Sequence, residues 1–407
     1  MSSLPTNLCP DFTLLAKPSG AACNLACQYC FYLGKQELYP ESNLRMPEEV
    51  LQAYIKQVLA SHKNREVSIA WQGGEPTLMG LDFFKLSVEL AKKYQKPRQI
   101  ITYSLQTNGT LLTAEWCVWF KKHNFLIGLS MDGTPEMHNA FRVNKAGMDT
   151  YDQVRRGWDL LQKHKVDTNI LCAVHAANAP RPLETYHFFR DTLQARFIQF
   201  IPVVEQLNNE AHSQGDEGGY HRQTVQVSER SVRPEEYGTF LVKIFDDWVH
   251  HDVGNVFIQS FDAALASWCQ LPASVCTFQE VCGRSLILEH NGDLYCCDHF
   301  VEPAHRLGNI LEKPMVELAR SSRQHQFGLA KRDRLPAYCQ QCDVLFACHG
   351  ECPRNRFMQA PEGDEAGLNY LCPSYKMFFH HVDQPMRIMA ELLRRGREAA
   401  EIMHVIV

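Results

Sequence analysis

Cys23-Asn24-Leu25-Ala26-Cys27-Gln28-Tyr29-Cys30 decides how the rest of the chain is read. Its three cysteines stand at C-x3-C-x2-C spacing, directly behind Phe12-Thr13-Leu14-Leu15-Ala16-Lys17-Pro18, an extended run stopped by proline. Three thiolates on one short loop can ligate three irons of a [4Fe-4S] cube, whereas a saturated cube takes four cysteines. The missing ligand leaves one iron open. An open position is what a reactive metal centre needs and a structural centre lacks. A structural zinc site completed by a distant histidine is the alternative that the loop alone leaves standing.

Outward from the loop, strands and helices alternate. Residues 12–18 read as a first strand, and Met46-Pro47-Glu48-Glu49 opens a helix to about His62, with proline and acids in its first turn. Val67–Trp71 is a second strand and residues 81–95 a helix. Ile100–Leu105 is a third strand, followed by a helix that Thr113 caps and that runs to about His123. Leu126–Met131 is a fourth strand before a helix over 150–164; Thr168–Val174 is a fifth before a helix over 182–195; Phe197–Pro202 is a sixth. Alternation with helices of this length implies parallel βαβ units, and several strands are continuous apolar runs, as in sheets covered on both faces. Six units predict an α/β fold, a partial (β/α)6 TIM-like barrel with its chemistry at the C-terminal strand ends.

Residues 206–233 break the pattern with Gly215, Gly218, Gly219 and many charges, and read as a lid, a partner-binding loop or an insertion. Pro234-Glu235-Glu236 restarts a helix to about His251, with Phe240, Leu241, Ile244, Phe245 and Trp248 on one stripe. From Cys269 onward the chain turns cysteine-dense, and residues 373–407 read as largely helical with Arg394, Arg395 and Arg397 on a solvated face. The expected boundaries are a barrel over 1–233, a linking helical segment over 234–268, a cysteine-rich domain over 269–380 and a C-terminal helix over 381–407.

The balance of the 407 residues excludes several classes of function. Hydrophobic content is 45% and charged content 21%, and a net charge of -5 without basic runs argues against nucleic acid as a partner. No stretch approaches the roughly 20 apolar residues of a membrane span, and the N-terminus shows no signal peptide. Sixteen cysteines without a sign of export point to metal ligation in a reducing cytoplasm rather than to disulfides.

Polar motifs fall at the strand ends. Gln72-Gly73-Gly74-Glu75-Pro76 follows the second strand, and its glycines let backbone carbonyls approach a ligand; a plain Gly-Gly turn is the alternative. Gln106-Thr107-Asn108-Gly109 ends the third strand, and Ser130-Met131-Asp132-Gly133 the fourth, with Arg142 shortly after. Ser130 can donate to a ribose or carboxylate, and Arg142 can fork onto a carboxylate. Further on stand Cys276, Cys282, Cys297 (at G-x4-C after Gly292), Cys339, Cys342, Cys348, Cys352 and Cys372. Eight such ligands suffice for two saturated [4Fe-4S] cubes, or for two four-cysteine zinc sites. Cys117 and Cys172 read as small buried hydrophobes, and Cys9 and Cys269 carry no signal.

With these motifs in view, the chain resembles the radical S-adenosylmethionine (SAM) superfamily, whose open iron chelates the SAM amino and carboxylate groups. The resemblance makes the GGE run the seat of the SAM amino group and lets Tyr29 pack against SAM. The C-terminal pattern is similar to the SPASM twin-cluster domain. That likeness assigns one cluster to Cys276, Cys282, Cys297 and Cys352, and the other to Cys339, Cys342, Cys348 and Cys372. The interleaving is the family's and does not follow from spacing.

Along nearly its whole length the chain most resembles the anaerobic sulfatase-maturating enzymes. Lys17-Pro18, Cys27–Tyr32, Gln106–Leu112, Tyr295–Phe300, Cys339–Pro353 and Asn369–Cys372 carry the likeness. It implies three [4Fe-4S] clusters, SAM, and oxidation of a sulfatase cysteine (in some members also a serine) to Cα-formylglycine. The target would be an unfolded or nascent sulfatase segment, Cys/Ser-x-Pro/Ala-x-Arg, with a low-potential donor such as flavodoxin or ferredoxin. It also implies that Asp298 takes the proton from the target thiol or hydroxyl. Such an oxidation removes a Cβ hydrogen, a proton and an electron, so a partly buried carboxylate near the target suits the chemistry. Without the family, a loop aspartate bonding local amides would be the plainer reading. The doubled Cys296-Cys297 departs from the pattern and leaves Cys296 spare. Two rivals remain: a SPASM enzyme that crosslinks a ribosomally made peptide, and a non-enzymatic iron–sulfur carrier.

Overall fold

The structure, a computed structural model, describes residues 12–62, 65–207, 226–361 and 366–405. Six parallel strands follow the expected order: β1 Thr13–Ala16, β2 Glu66–Trp71, β3 Ile100–Thr107, β4 Phe125–Ser130, β5 Asp167–Val174 and β6 Phe197–Pro202. Each pairs with its sequence neighbour, and the sheet does not close on itself. Leu105, Ile127, Leu129, Ile170, Cys172 and Ile198 are buried between the strands and the helices that cover them. Each such apolar side chain contributes about 1.5–3 kcal/mol on burial. Cys117, in the helix Ala114–Lys122, is likewise fully buried, so both cysteines act as hydrophobes.

The sheet is larger than six strands. A two-residue β7, Phe257–Ile258, extends it beyond β6. On the other side β8, Ser285–Leu288, runs parallel to β1, in register from Thr13 opposite Ser285 to Ala16 opposite Leu288. β9, Asp293–Tyr295, and β10, Arg306–Asn309, follow antiparallel. The cysteine-rich region therefore shares a sheet with the barrel. The physical reason is the apolar run Leu286-Ile287-Leu288, which is buried in full and pairs with the open edge of β1. Asn291-Gly292, with Gly292 at φ +90°, is the tight-turn signal that marks the β8–β9 hairpin in the sequence.

Two local expectations are corrected. Thr113 occupies the N-cap position but its side chain makes no capping bond. The helix expected over 182–195 is an α-turn over Pro182–His187 that widens into a π-turn over Phe188–Thr192. The helix Pro234–His251 has the expected limits and buries Phe240, Leu241, Ile244, Phe245 and Trp248. It packs on the long helix Cys372–Arg394 through Tyr237 against Tyr375 and Phe245 against Phe378. Arg394, Arg395 and Arg397 are exposed and paired with Glu391 and Glu401.

Of the 206–233 excursion, residues 208–225 lie outside the described residues, as does Cys9. The base of the excursion is closed by a bridge between Gln206 and Val227 and by Arg230 on Glu205 at 2.6 Å. Gln206 also donates to the Arg354 carbonyl at 3.1 Å, which joins this base to the cysteine-rich region.

A candidate active site framed by three cysteine groups

The cysteine loop is seated by the glycines after β2. Gly74 N–H donates to Gly20 O and Glu75 N–H to Ala22 O, both at 2.8 Å. A Cβ on Gly74 would stand 2.1 Å from the Ala22 carbonyl oxygen, and Gly73 adopts φ +154°. The two glycines thus let the backbone before Cys23 lie against the end of β2. This is a contact within the protein, which neither the ligand approach nor the plain turn weighed from the sequence specified.

Glu75 also has partners within the protein. It is fully buried, and its carboxylate accepts from Thr77 N–H at 3.0 Å, Thr77 Oγ1 at 2.6 Å, Thr107 Oγ1 at 2.7 Å and Asn108 N–H at 2.8 Å. Burial pushes its pKa up while these donors pull it down. The side chain clamps β2 to β3, with three of these bonds on Oε1 and one on Oε2. Asn108, held by this clamp, donates to Asn24 at 2.9 Å and faces Cys23 Sγ at 3.8 Å.

Arg142 makes a contact that the sequence does not specify. One edge of its guanidinium forks onto Asp132, with Nε at 2.8 Å and NH2 at 3.2 Å. Its third nitrogen points at Cys27 Sγ, 3.9 Å away. Asp132 is fully buried and also accepts from Ala173 N–H at 2.9 Å and from the Tyr29 hydroxyl. Burial alone would raise its pKa; Arg142 and the His175 contact outweigh this and hold the carboxyl well below the usual carboxylate range. Tyr29 is half-buried, lies 5.6 Å from the His175 ring and carries the Arg142 cation 5.6 Å from its own ring. Ser130, at the end of β4, accepts from Gln106 at 3.0 Å and keeps its own proton to donate. Burial lifts the Cys27 thiol and pushes the Cys23 thiol up to about 12.

The eight later cysteines gather into two groups. Burial raises the thiols of Cys276, Cys282 and Cys297, and the nearby Cys352 adds to this in each. Cys339, Cys342, Cys348 and Cys372 line one apolar cavity with Leu345, Leu368 and Tyr375. Cys297, not Cys296, faces its group. Cys296 is buried and its thiol raised to about 11 by burial, with no other cysteine acting on it. No described cysteine is in a disulfide. Among the described residues no three of His, Cys, Asp or Glu gather tightly enough for one metal ion. Soft thiols grouped in fours, most of them partly or fully buried, fit iron–sulfur clusters.

Asp298 links the start of the chain's first cysteine loop to the later cysteines through one ion pair. It follows Cys297, is 22% exposed, and its Oδ1 lies 2.7 Å from the ammonium of Lys17, which is 1% exposed. Lys17 directly follows β1, just before the cysteine loop, and lies 4.2 Å from the Tyr32 ring centre. Tyr32 in turn donates to buried Glu289. Pairing of β8 with β1 brings this about, since Lys17 N–H donates to Leu288 O at 2.8 Å. Sequence reasoning assigned no role to Lys17, Glu289, His299, Lys331 or Arg356. The only available signal was Lys17 at a strand end ahead of the cysteines.

The fold and the three cysteine groups define a radical SAM enzyme with an added iron–sulfur domain. The Radical SAM superfamily model matches residues 18–189, and a model described as an iron-sulfur cluster-binding domain matches residues 276–343. The chain is 43% identical to a serine-type anaerobic sulfatase-maturating enzyme of Bacteroides thetaiotaomicron, over 96% of this chain and 94% of that one. It is 36% identical to a cysteine-type anaerobic sulfatase-maturating enzyme of Clostridium perfringens, over 91% and 96%. It superposes on the solved structure of native anSMEcpe with bound AdoMet and Cp18Cys peptide at TM-score 0.81 and 35% identity, covering 94% of this chain and 100% of that one. The chain belongs to the anaerobic sulfatase-maturating enzymes. Among the described residues no helix is long and apolar enough to cross a membrane.

Proposed function

We propose that this protein oxidises a cysteine or serine of a sulfatase polypeptide, within a Cys/Ser-x-Pro/Ala-x-Arg segment, to Cα-formylglycine. The observation that supports this reading is the Lys17–Asp298 pair, which ties the carboxylate next to Cys297 to the lysine six residues before Cys23. In this reading Cys23, Cys27 and Cys30 hold the open cluster, and the two four-cysteine groups hold saturated ones. Tyr29, Gly73, Gly74, Glu75, Ser130 and Arg142 would receive SAM, and the bonds of Glu75 and Asn108 also hold the loop in place. The bound clusters and SAM supply one-electron chemistry that removes a hydrogen atom from the target Cβ and takes up the surplus electron.

The chain's own contribution is positional and acid–base. Asp298 accepts the proton of the target thiol or hydroxyl, and Lys17 fixes its orientation. Arg142, tied to Asp132, keeps a positive charge against Cys27. A low-potential donor such as flavodoxin or ferredoxin completes the cycle, in a reducing cytoplasm. The test is anaerobic reconstitution followed by incubation with Cys-x-Pro-x-Arg and Ser-x-Pro-x-Arg peptides. Aldehyde formation by mass, with loss of sulfur from the cysteine peptide, is expected. A crosslinked product in its place would transfer the chain to the peptide-crosslinking rival. Failure to cleave SAM after reduction would leave only an electron carrier.

A further inference from the structure

The group nearest Asp298 carries two features that iron ligation alone does not require. His299 Nδ1 lies 3.3 Å from Cys352 Sγ. An iron-bound sulfur has no proton, so across this contact the imidazole must donate. Lys331, on the helix Ser322–Asp333, is 1% exposed, and its ammonium donates to Cys276 O at 2.8 Å and Thr277 O at 2.7 Å. A buried ammonium anchored on the backbone of a ligating cysteine is a fixed positive charge beside that group. Arg356 bonds the carbonyls of Lys331, His349, Gly350 and Glu351 and so holds the turn between Cys348 and Cys352. Buried Glu351, bonded to Asn369 at 2.6 Å, is the opposing negative charge.

We infer that His299 and Lys331 are positioning residues that raise the reduction potential of the cluster on Cys276, Cys282, Cys297 and Cys352, and of that cluster alone. A hydrogen bond to a ligating sulfur and a nearby cation both favour the state with one more electron. Removal of either therefore drives that potential more negative. Both residues bond to atoms of this group, His299 to Cys352 and Lys331 to Cys276, while the cavity of the other four cysteines has a cation of its own, Lys376. The inference rests on the ligand set proposed above and concerns the potential itself, whichever peptide is the substrate.

The test is an EPR-monitored redox scan of the anaerobically loaded full-length enzyme and its variants. Added SAM identifies the wave of the open cluster by the change it makes in that spectrum. His299→Phe and Lys331→Met are expected to move one and the same remaining wave to more negative potential and to leave the other in place. His299→Asn, which restores an N–H near the Nδ1 position, is expected to return it. An unmoved potential in His299→Phe at full iron content overturns the inference, as does an equal shift of both remaining waves. If Lys331→Met does not fold, the His299 pair decides. Undiminished iron in Cys352→Ala would overturn the ligand set instead, a failure separate from that of the tuning.

Discussion

Lys17 Nζ lies 2.7 Å from Asp298 Oδ1, and the lysine is buried while the aspartate keeps an open edge. One comes from the first strand of the barrel and the other from the loop after the β8–β9 hairpin. The contact exists because β8 pairs with β1. Asp298→Asn is expected to lower aldehyde formation by about 100-fold or more, the usual scale of a lost general base, with SAM binding retained. Peptide mass analysis beside a SAM-binding measurement checks this. Unchanged turnover would remove Asp298 from the proposed role.

Lys17→Met is expected to lower kcat by about 10-fold to 100-fold, the scale of one lost charge-assisted bond, with KM for the peptide nearly unchanged. Lys17→Arg is expected to recover much of the loss. In an Asp298→Asn background the lysine change should add little, because both act on one proton transfer.

Asp132→Asn leaves the Arg142 guanidinium buried without its counter-charge. A loss of about 3–5 kcal/mol is expected, visible as a lower Tm. The pH dependence follows from the depressed carboxyl. A group whose folded pKa lies below its unfolded value, about 3.9, gives its full stabilisation above that value and loses it as pH falls toward the folded one. The difference between wild type and variant should therefore hold at neutral pH and narrow only below about pH 4. A difference that narrows near neutrality would contradict the pairing.

Gly74→Ala sets a Cβ 2.1 Å from the Ala22 carbonyl and must move the segment leading into Cys23. Loss of about four irons per chain is expected, with the two C-terminal groups still loaded. Iron and sulfide counting after anaerobic loading reads the outcome.

Cys296→Ala is expected to keep the full iron content and activity, since that thiol is buried away from its neighbour's group. Cys297→Ala should lose about four irons and the activity. The reverse result would exchange the two residues.

Much of the barrel is legible in the linear chain because periodicity and turn chemistry are local. The six parallel strands and the helix from Pro234 to His251 follow from apolar runs, prolines and early acids that act within a few residues. The C-x3-C-x2-C loop is equally local, since the backbone between neighbouring cysteines is short. What the chain alone left open depends on side chains that meet across long separations. Periodicity does not show that Leu286-Ile287-Leu288 pairs with β1, and so it could not bring Lys17 to Asp298. Nor could residue type alone reveal that Arg142 forks onto Asp132 and that Glu75 bonds Thr77, Thr107 and Asn108. A charged residue near a strand end looks the same in sequence whether it faces a ligand or a buried partner. Only the tertiary structure decides, because burial makes an unpaired charge costly and so selects the partner.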